Sequence, residues 1–151
     1  MSNITNIYDA VITEVSGLFS TKTRIPNPYD LTNNPVNFIR DGWGLKVSGA
    51  AAVNGEICTI TQNRTFTVII TKEVYRTDTN STAIDDTAKD LLEDAKTLIE
   101  GMEAADQIQA NSSISIINYA GSSDIALYGA SKSHFLLLEV NFDIMYKENR
   151  I

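Results

Sequence analysis

The sequence predicts an α+β domain, in which a single antiparallel or mixed β-sheet has two α-helices packed on one face. Two observations support this prediction. The chain contains two amphipathic helical segments, one at residues 3–19 and an acidic one at residues 83–110. Its other long segments are rich in Val, Ile and Thr, which β-strands favour. The resulting order is α-β-β-β-α-β-β. It predicts that both helices bury their apolar sides against the same face of the sheet.

Both predicted helices repeat apolar residues at a spacing of three and four, which places those residues on one side of a helix. Ser2 or Asn3 is suited to cap the first helix. Thr82 and Asp85 resemble a capping box at the start of the second, and Gly101 weakens its last turns. The acids of the second helix lie four residues from lysines, a pattern typical of a solvated face. The apolar stripes comprise Ile4, Ile7, Tyr8, Val11, Ile12, Val15, Leu18 and Phe19 in the first helix, and Ile84, Ala88, Leu91, Leu92, Ala95, Leu98, Ile99 and Met102 in the second.

The strands are recognised by β-branched content and by alternation of apolar and polar residues. They are predicted at residues 43–53, 56–76, 113–119 and 134–146. Asn54-Gly55 indicates a hairpin turn, because Asn-Gly supplies positive φ angles, and a bulge or turn is expected near Gln62-Asn63. Residues 120–133, with their glycines and serines, predict a loop or an irregular edge. We expect the helices to pack on the sheet face that contains Phe66, Val68, Ile70, Leu136, Leu138, Val140, Phe142, Ile144 and Tyr146.

Residues 20–42 predict a long loop. Pro26, Pro28 and Pro35 remove backbone donors and fix φ, so no regular element is expected to run through it. A loop of about 20 residues is unusual in a compact domain and is often functional. Arg24 and Arg40 bracket it, and two interpretations of these arginines stay open: interface anchors or ordinary solubilising charges.

The second face of the sheet has no helix to cover it in this prediction. Phe135, Leu137 and Met145 lie on that face of the last strand, and a group of uncovered apolar side chains indicates a partner. The alternative is that loop 20–42 folds over them within the chain. The candidate residues for a contact with another subunit or with a tube are Arg24, Tyr29, Arg40, Phe135, Leu137 and Met145.

Size and charge limit the classes of function. The chain has 151 residues, which predicts one domain over 1–151. Its net charge of −7 disfavours a broad grip on nucleic-acid phosphates or anionic membranes, although it is compatible with a wall that DNA slides past. Cys58 is the single cysteine, so it forms no internal disulfide and is expected to be a strand residue. No stretch approaches the ~18 apolar residues of a membrane span, so we expect a cytosolic protein.

No group of residues in the sequence predicts catalysis, a cofactor or a metal. The single histidine, His134, has no second His or Cys at the spacing of a metal site, and we expect it to be a polar residue at a strand end. The motifs HExxH, CxxC, GxGxxG, GxxxxGK[ST] and GxSxG are absent. A serine nucleophile would need His134 as its base, and nothing ties that residue to one serine. The expectation is therefore a protein that is not an enzyme.

The whole chain resembles the tail terminator proteins of long-tailed bacteriophages, small subunits that form a ring capping the tail tube. The resemblance rests on the segments ITNIYDAVITEVSGLF, RIPNPYDLTNNP, RTFTVIITKEVY, DDTAKDLLEDAKTLIEGM and FLLLEVNFDIMY, in this order and with these lengths. It implies a homo-hexameric ring in the virion tail that acts by surface complementarity. The implied partners are other copies of the chain, the tail tube protein, the head connector or neck protein and a tail sheath. DNA would only pass through the lumen.

Two other functions stay open. Neck and connector subunits share much of the same pattern. A function of a different class, a small ligand-binding or enzymatic α+β domain, would need a pocket with convergent polar groups. The sequence offers no such set of residues.

Overall fold

The structure, a computed structural model, describes residues 3–55, 58–74, 83–104, 114–130 and 133–149. The helices are α1 (Asn3–Leu18), α2 (Val36–Ile39) and α3 (Ala83–Glu103). The strands are β1 (Thr23–Arg24), β2 (Asp41–Gly55), β3 (Thr59–Val74), β4 (Ile114–Ser122), β5 (Ala126–Ala130) and β6 (Ser133–Asn149), and a 3₁₀ turn covers Leu31–Asn33. The predicted α+β class with one mixed sheet is confirmed. Of the helices described, none has the length and apolar character needed to cross a membrane.

The strands form one sheet in the order β1-β2-β3-β6-β4, and β5 pairs with the part of β6 that β4 leaves uncovered. β1 runs parallel to β2, and every other described pair is antiparallel. The three longest strands, β2, β3 and β6, have 15, 16 and 17 residues. At about 3.3 Å per residue, each is about 50 Å long. β-branched residues recur along β3 and favour this extended backbone.

Helices α1 and α3 both pack on one face of the sheet, as predicted. Their apolar stripes bury Ile7, Val11 and Val15 of α1, and Leu91, Leu98 and Met102 of α3. Leu138 of β6 is only 2% exposed beneath them, so the predicted facing of the last strand is correct. A Cβ at Gly101 would lie 2.5 Å from two carbons of Leu18, which shows that this glycine allows α3 to approach the end of α1 closely.

The segment between α1 and β2 folds over the opposite face of the sheet. Its Ile25 and Ile39 pack with Phe135 in a second apolar cluster, in which all three are at most 1% exposed. Tyr128 of β5 stacks on Phe135, with ring centroids 5.4 Å apart. Of the two alternatives left open by the sequence, the structure shows that the chain's own loop covers Phe135. Phe135 is therefore not available as an interface residue, and the interpretation that it needs a partner to cover it is not supported.

Several predicted boundaries need correction. Residues 20–42 are not wholly irregular, since they contain β1, the 3₁₀ turn and α2, and β2 already begins at Asp41. Asn54 and Gly55 are the last residues of β2, paired with Thr61 and Ile60, so they belong to the strand and are not themselves the turn.

Two further breaks lie elsewhere than predicted. β3 continues without a break through Gln62-Asn63. The shifts in register between β2 and β3 lie on β2, at Val47–Ala50 and Ala52–Asn54. The interval 120–133 contains the end of β4 and the whole of β5, because pairing with β6 stabilises strands that composition alone does not indicate.

The stripe of α3 is narrower than predicted, since Ile84 and Leu92 are 49% and 56% exposed. The proposed cap at Thr82 and the predicted end of the helix at 105–110 lie outside the described residues, as does residue 113 of the predicted fourth strand.

Candidate subunit interface

Three of the six candidate interface residues are exposed beside β2. Tyr29 is 67% exposed, and its hydroxyl accepts a hydrogen bond from the Val47 amide at 3.3 Å. The Arg24 guanidinium carbon lies 5.6 Å from the centroid of the Trp43 ring, a cation–π contact. The Arg40 side chain is 59% exposed, with its Nε 3.2 Å from Glu73 Oε2. Because all three occupy the loop before β2 or the strand β1 within it, the chain places them along one side of the sheet.

The other three candidates, all on β6, are placed differently. Phe135 is fully buried within the chain and cannot contact a partner as it stands. Leu137 is half-buried and lines the same groove as Tyr29. Met145 is also half-buried, but it lies eight residues further along β6, or about 26 Å at 3.3 Å per residue. The structure therefore brings Leu137 to the exposed loop and leaves Met145 near the other end of the sheet.

The groove lies between the loop and the sheet and has a volume of about 310 Å³. Pro28, Tyr29 and Leu31 line one side, with Ile69 and Leu137 of the sheet below them. Lys46 and Glu139 also line it, and their side chains form an ion pair at 2.9 Å. Asp30 and Thr32 line the groove as well, so it is mainly apolar, with one ion pair and one further carboxylate at its wall.

Tyr128 closes the remaining side of the groove. Its hydroxyl oxygen is buried and has no hydrogen-bond partner among the described residues. Burial raises the pKa of Tyr128 from 10.0 to about 12, because the phenolate would lose its hydration. The side chain is thus neutral at physiological pH, and its buried O–H is an unused donor.

Two surfaces that the sequence did not point to lie at the edges of the sheet. One is the exposed stretch Ser48–Val53 of β2, which is rich in alanine. The other is a groove of about 320 Å³ between α3 and β4, lined by Leu92, Ile99 and Tyr119 among others. Alanines in a strand and exposed residues on a helix are weak signals on their own. Their importance depends on the strand order, which composition does not give.

His134 lies on β6, level with Val74 of β3 and Gly129 of β5. Cys58 is exposed and lies immediately before β3, so the expectation of a strand residue is wrong by one position. Within the described ranges, no three His, Cys, Asp or Glu side chains are grouped so as to hold a metal ion. The chain was compared with models of known protein families and with curated proteins, and neither comparison found a match.

Proposed function

We propose that this chain is a structural subunit of a bacteriophage tail, a tail terminator that forms a homo-oligomeric ring on the tail tube. The observation that supports the proposal most directly is the order and length of its elements. The helix, proline-containing loop, hairpin, acidic helix and closing strand that underlie the resemblance are all folded units of one domain. The role is structural rather than catalytic.

The ring would act by shape and surface complementarity. It would end polymerisation of the tube protein and present its other side to the head connector or neck protein, with the tail sheath as a further neighbour. This function places the chain in the virion, at the head-proximal end of the tail, after assembly in the bacterial cytoplasm. The net charge of −7 suits a lumen through which DNA passes without binding.

A ring of identical subunits needs two different patches on each subunit, since its contacts are heterologous. The sequence suggested the loop and the second sheet face as the two patches. In the fold, however, the loop lies on that face, so together they form one patch. Its accessible residues are Arg24, Tyr29 and Arg40, with Leu137 in the groove behind them. The second patch must lie elsewhere on the chain.

The mass of the particle in solution tests the proposal. Native mass spectrometry and sedimentation should show a ring, with six copies of the 16.6 kDa chain as the expected mass. Added to its polymerising tail tube protein, the ring should stop tube growth at one end, as seen by electron microscopy. A chain that stays monomeric at high concentration and leaves tube length unchanged would refute the proposal.

The loop patch is tested by Arg24→Glu combined with Tyr29→Glu. Both side chains are exposed and each makes one contact within the chain, so the double variant should still fold, as circular dichroism would show, and yet fail to bind the tube or the neighbouring subunit. Ser16→Glu, which adds one negative charge on the exposed side of α1, is the control for a glutamate placed away from the loop and should leave assembly unchanged. Unchanged assembly of the double variant would remove the loop from the interface.

Two alternatives make different predictions in the same experiments. A neck or connector subunit would form a ring that binds the head connector but leaves tube growth unchanged. A ligand-binding domain is favoured by one observation, the apolar groove beneath Tyr29, whose volume is at the lower end of the ~300–1,000 Å³ typical of small-molecule sites. That function requires a monomer whose melting temperature rises when a small apolar ligand is added. The Leu137→Asp variant should show no such rise.

A further inference from the structure

Among the described residues, the sheet has an open edge on each side: β2 on one side, and β4 with β5 on the other. β1 pairs with β2 only at Gly42 and Trp43, and the Tyr29 hydroxyl takes up the Val47 amide. Beyond Val47, no described residue pairs with the outer side of β2. On the other side of the sheet, β4 pairs with β6 and with no other described strand. An unpaired edge strand offers a row of backbone donors and acceptors to another chain.

Neither edge has the side chains that usually protect a free strand. Proteins block such edges with lysine, proline or other charged residues. The β2 segment 48–55 reads SGAAAVNG and β4 reads ISIINYAGS, without a charge or a proline in either. Bulges interrupt β2 on both sides of Ala50–Ala52, and β4 is irregular on both sides of Ile116–Tyr119. Bulges also protect edges, but these two stretches keep a regular register with β3 and β6. They therefore remain able to pair with a further strand.

Apolar surface is concentrated along the same two edges. Six large apolar side chains are exposed among the described residues, and five of them flank the edges: Tyr29 and Val53 beside β2, and Leu92, Tyr119 and Leu127 beside β4 and β5. Such clustering indicates contact with a protein rather than random exposure.

The two edges match each other in direction. β2 is antiparallel to β3, β3 to β6, and β6 to β4, so β2 and β4 run in opposite directions. Rotation of a second copy about an axis along the strands keeps every strand direction. The β4 edge of one copy then meets the β2 edge of the next in the antiparallel orientation.

The two edges also match in height along the sheet. The Ser48 hydroxyl exchanges hydrogen bonds at 3.2 Å with the backbone of Thr65, which places Ser48 opposite Thr65. Thr65 pairs with Asp143, and Asp143 pairs with Asn118 of β4. Ser48 and Asn118 are thus level on opposite edges, so a pure rotation brings them together without a shift along the strands.

We propose that successive copies of this chain join edge to edge, with β4 of one copy paired antiparallel to β2 of the next in a sheet continuous across subunits. The occupant of each edge is therefore a second copy. This arrangement supplies the second patch that the proposed ring requires, and it rests on that proposed function for its closure into a ring. The apolar side chains that flank each edge would be buried by the neighbouring copy.

Disulfide trapping tests this pairing, with both partners in a Cys58→Ser background to remove the native thiol. Ala50 pairs with Arg64, Arg64 with Ile144, and Ile144 with Ile117, so Ala50→Cys and Ile117→Cys are level on the two edges. The Ser48 side chain is not used for the cross-link, because its hydroxyl is bonded to β3. A mixture of the two single variants, oxidised gently, should give a cross-linked dimer, and each variant alone should give none. The double variant should give a ladder that ends at the ring mass. Tyr119→Cys in place of Ile117→Cys covers a stagger of two residues. Ser16→Cys with Ile117→Cys is the control for random collision.

The outcomes separate this inference from the proposed function. Oligomers of ring mass without any cross-link from position 50 to position 117 or 119 would overturn the edge pairing and leave the ring intact. A cross-link from the Ala50→Cys variant alone would show pairing of β2 with β2 in a two-fold dimer, which would also overturn it. A monomer at every concentration would refute both proposals.

Discussion

The two faces of the sheet bury the same strand by different means. Phe142 and Phe135 belong to β6, are of the same residue type and are both fully buried, but they point to opposite faces. Phe142 lies in the cluster formed with α1 and α3, whereas Phe135 lies beneath an irregular loop and the ring of Tyr128. The comparison separates what a helix contributes to burial from what a loop contributes.

The helices and the loop differ in how the backbone amides and carbonyls of each find hydrogen-bond partners. A helix pairs its amides and carbonyls internally, so its buried face contributes only apolar side chains. A loop over a sheet has to find other partners for its backbone groups. Here Asn34 supplies them: its Oδ1 accepts from the Asn27 amide at 2.9 Å, and its Nδ2 donates to the carbonyls of Asn27 at 2.8 Å and Asp30 at 3.0 Å. The cover on the loop face therefore depends on the hydrogen bonds of a buried polar residue. The cover on the helix face depends on the apolar surface area that the helices bury.

The largest effect is expected from Phe142→Ala. The variant should lower the free energy of unfolding by about 3–5 kcal/mol, because two packed helices cannot move into the cavity. Urea unfolding followed by circular dichroism measures this loss. A cost under about 2 kcal/mol, well below the usual range, would mean that the helix face is loosely packed.

Phe135→Ala is the matched variant on the other face and should cost less than Phe142→Ala. The loop can settle into the space, so we expect the lower end of the same range, about 3 kcal/mol. In limited proteolysis, Phe135→Ala should then be cut within residues 20–40. Phe142→Ala should resist cleavage in this region when the two variants are compared under conditions that give them the same free energy of unfolding. If the two variants cost the same and are cut alike, the loop is as rigid a cover as the helices.

Asn34→Ala should cost about 1–3 kcal/mol, since it leaves the backbone groups of the loop without their partner. Asn34→Asp is the informative control, because it keeps the acceptor for the Asn27 amide and loses both donors. We expect Asn34→Asp to fall between wild type and Asn34→Ala in thermal unfolding. If Asn34→Asp is as stable as wild type, the donors of Asn34 contribute nothing to the loop.

The same contrast explains what could be predicted from the sequence. Periodicity located α1, α3 and the facing of β6, because those residues bury one continuous stripe or face. It could not locate β5, whose residues are extended only because β6 pairs with them. Nor could it show that Ile25 and Ile39 cover Phe135, since apolar residues in a loop have no period that gives their direction.

The candidate interface followed the same rule. Exposed residues near prolines, such as Tyr29, could be chosen from local sequence, and the structure leaves Tyr29 exposed. The β2 edge at Ala50–Ala52 could not be chosen, because an alanine stretch becomes an edge only through the strand order.

The smallest effect is expected from Tyr128→Phe. On this loop face the substitution should stabilise the protein, whereas the alanine substitution on the helix face should destabilise it. The Tyr128 hydroxyl is buried without a partner among the described residues, so removal should raise the free energy of unfolding by up to about 1 kcal/mol at pH 7.

The pKa of Tyr128 is raised to about 12, whereas an unfolded tyrosine titrates near 10.0. Between these values the unfolded chain loses the proton and the folded chain keeps it, so wild-type stability should fall as the pH rises from 10 towards 12. Tyr128→Phe should lack that part of the slope and match wild type in pH dependence below pH 10. Denaturant melts at a series of alkaline pH values measure this, and parallel curves for the two proteins above pH 10 would mean that the hydroxyl is solvated.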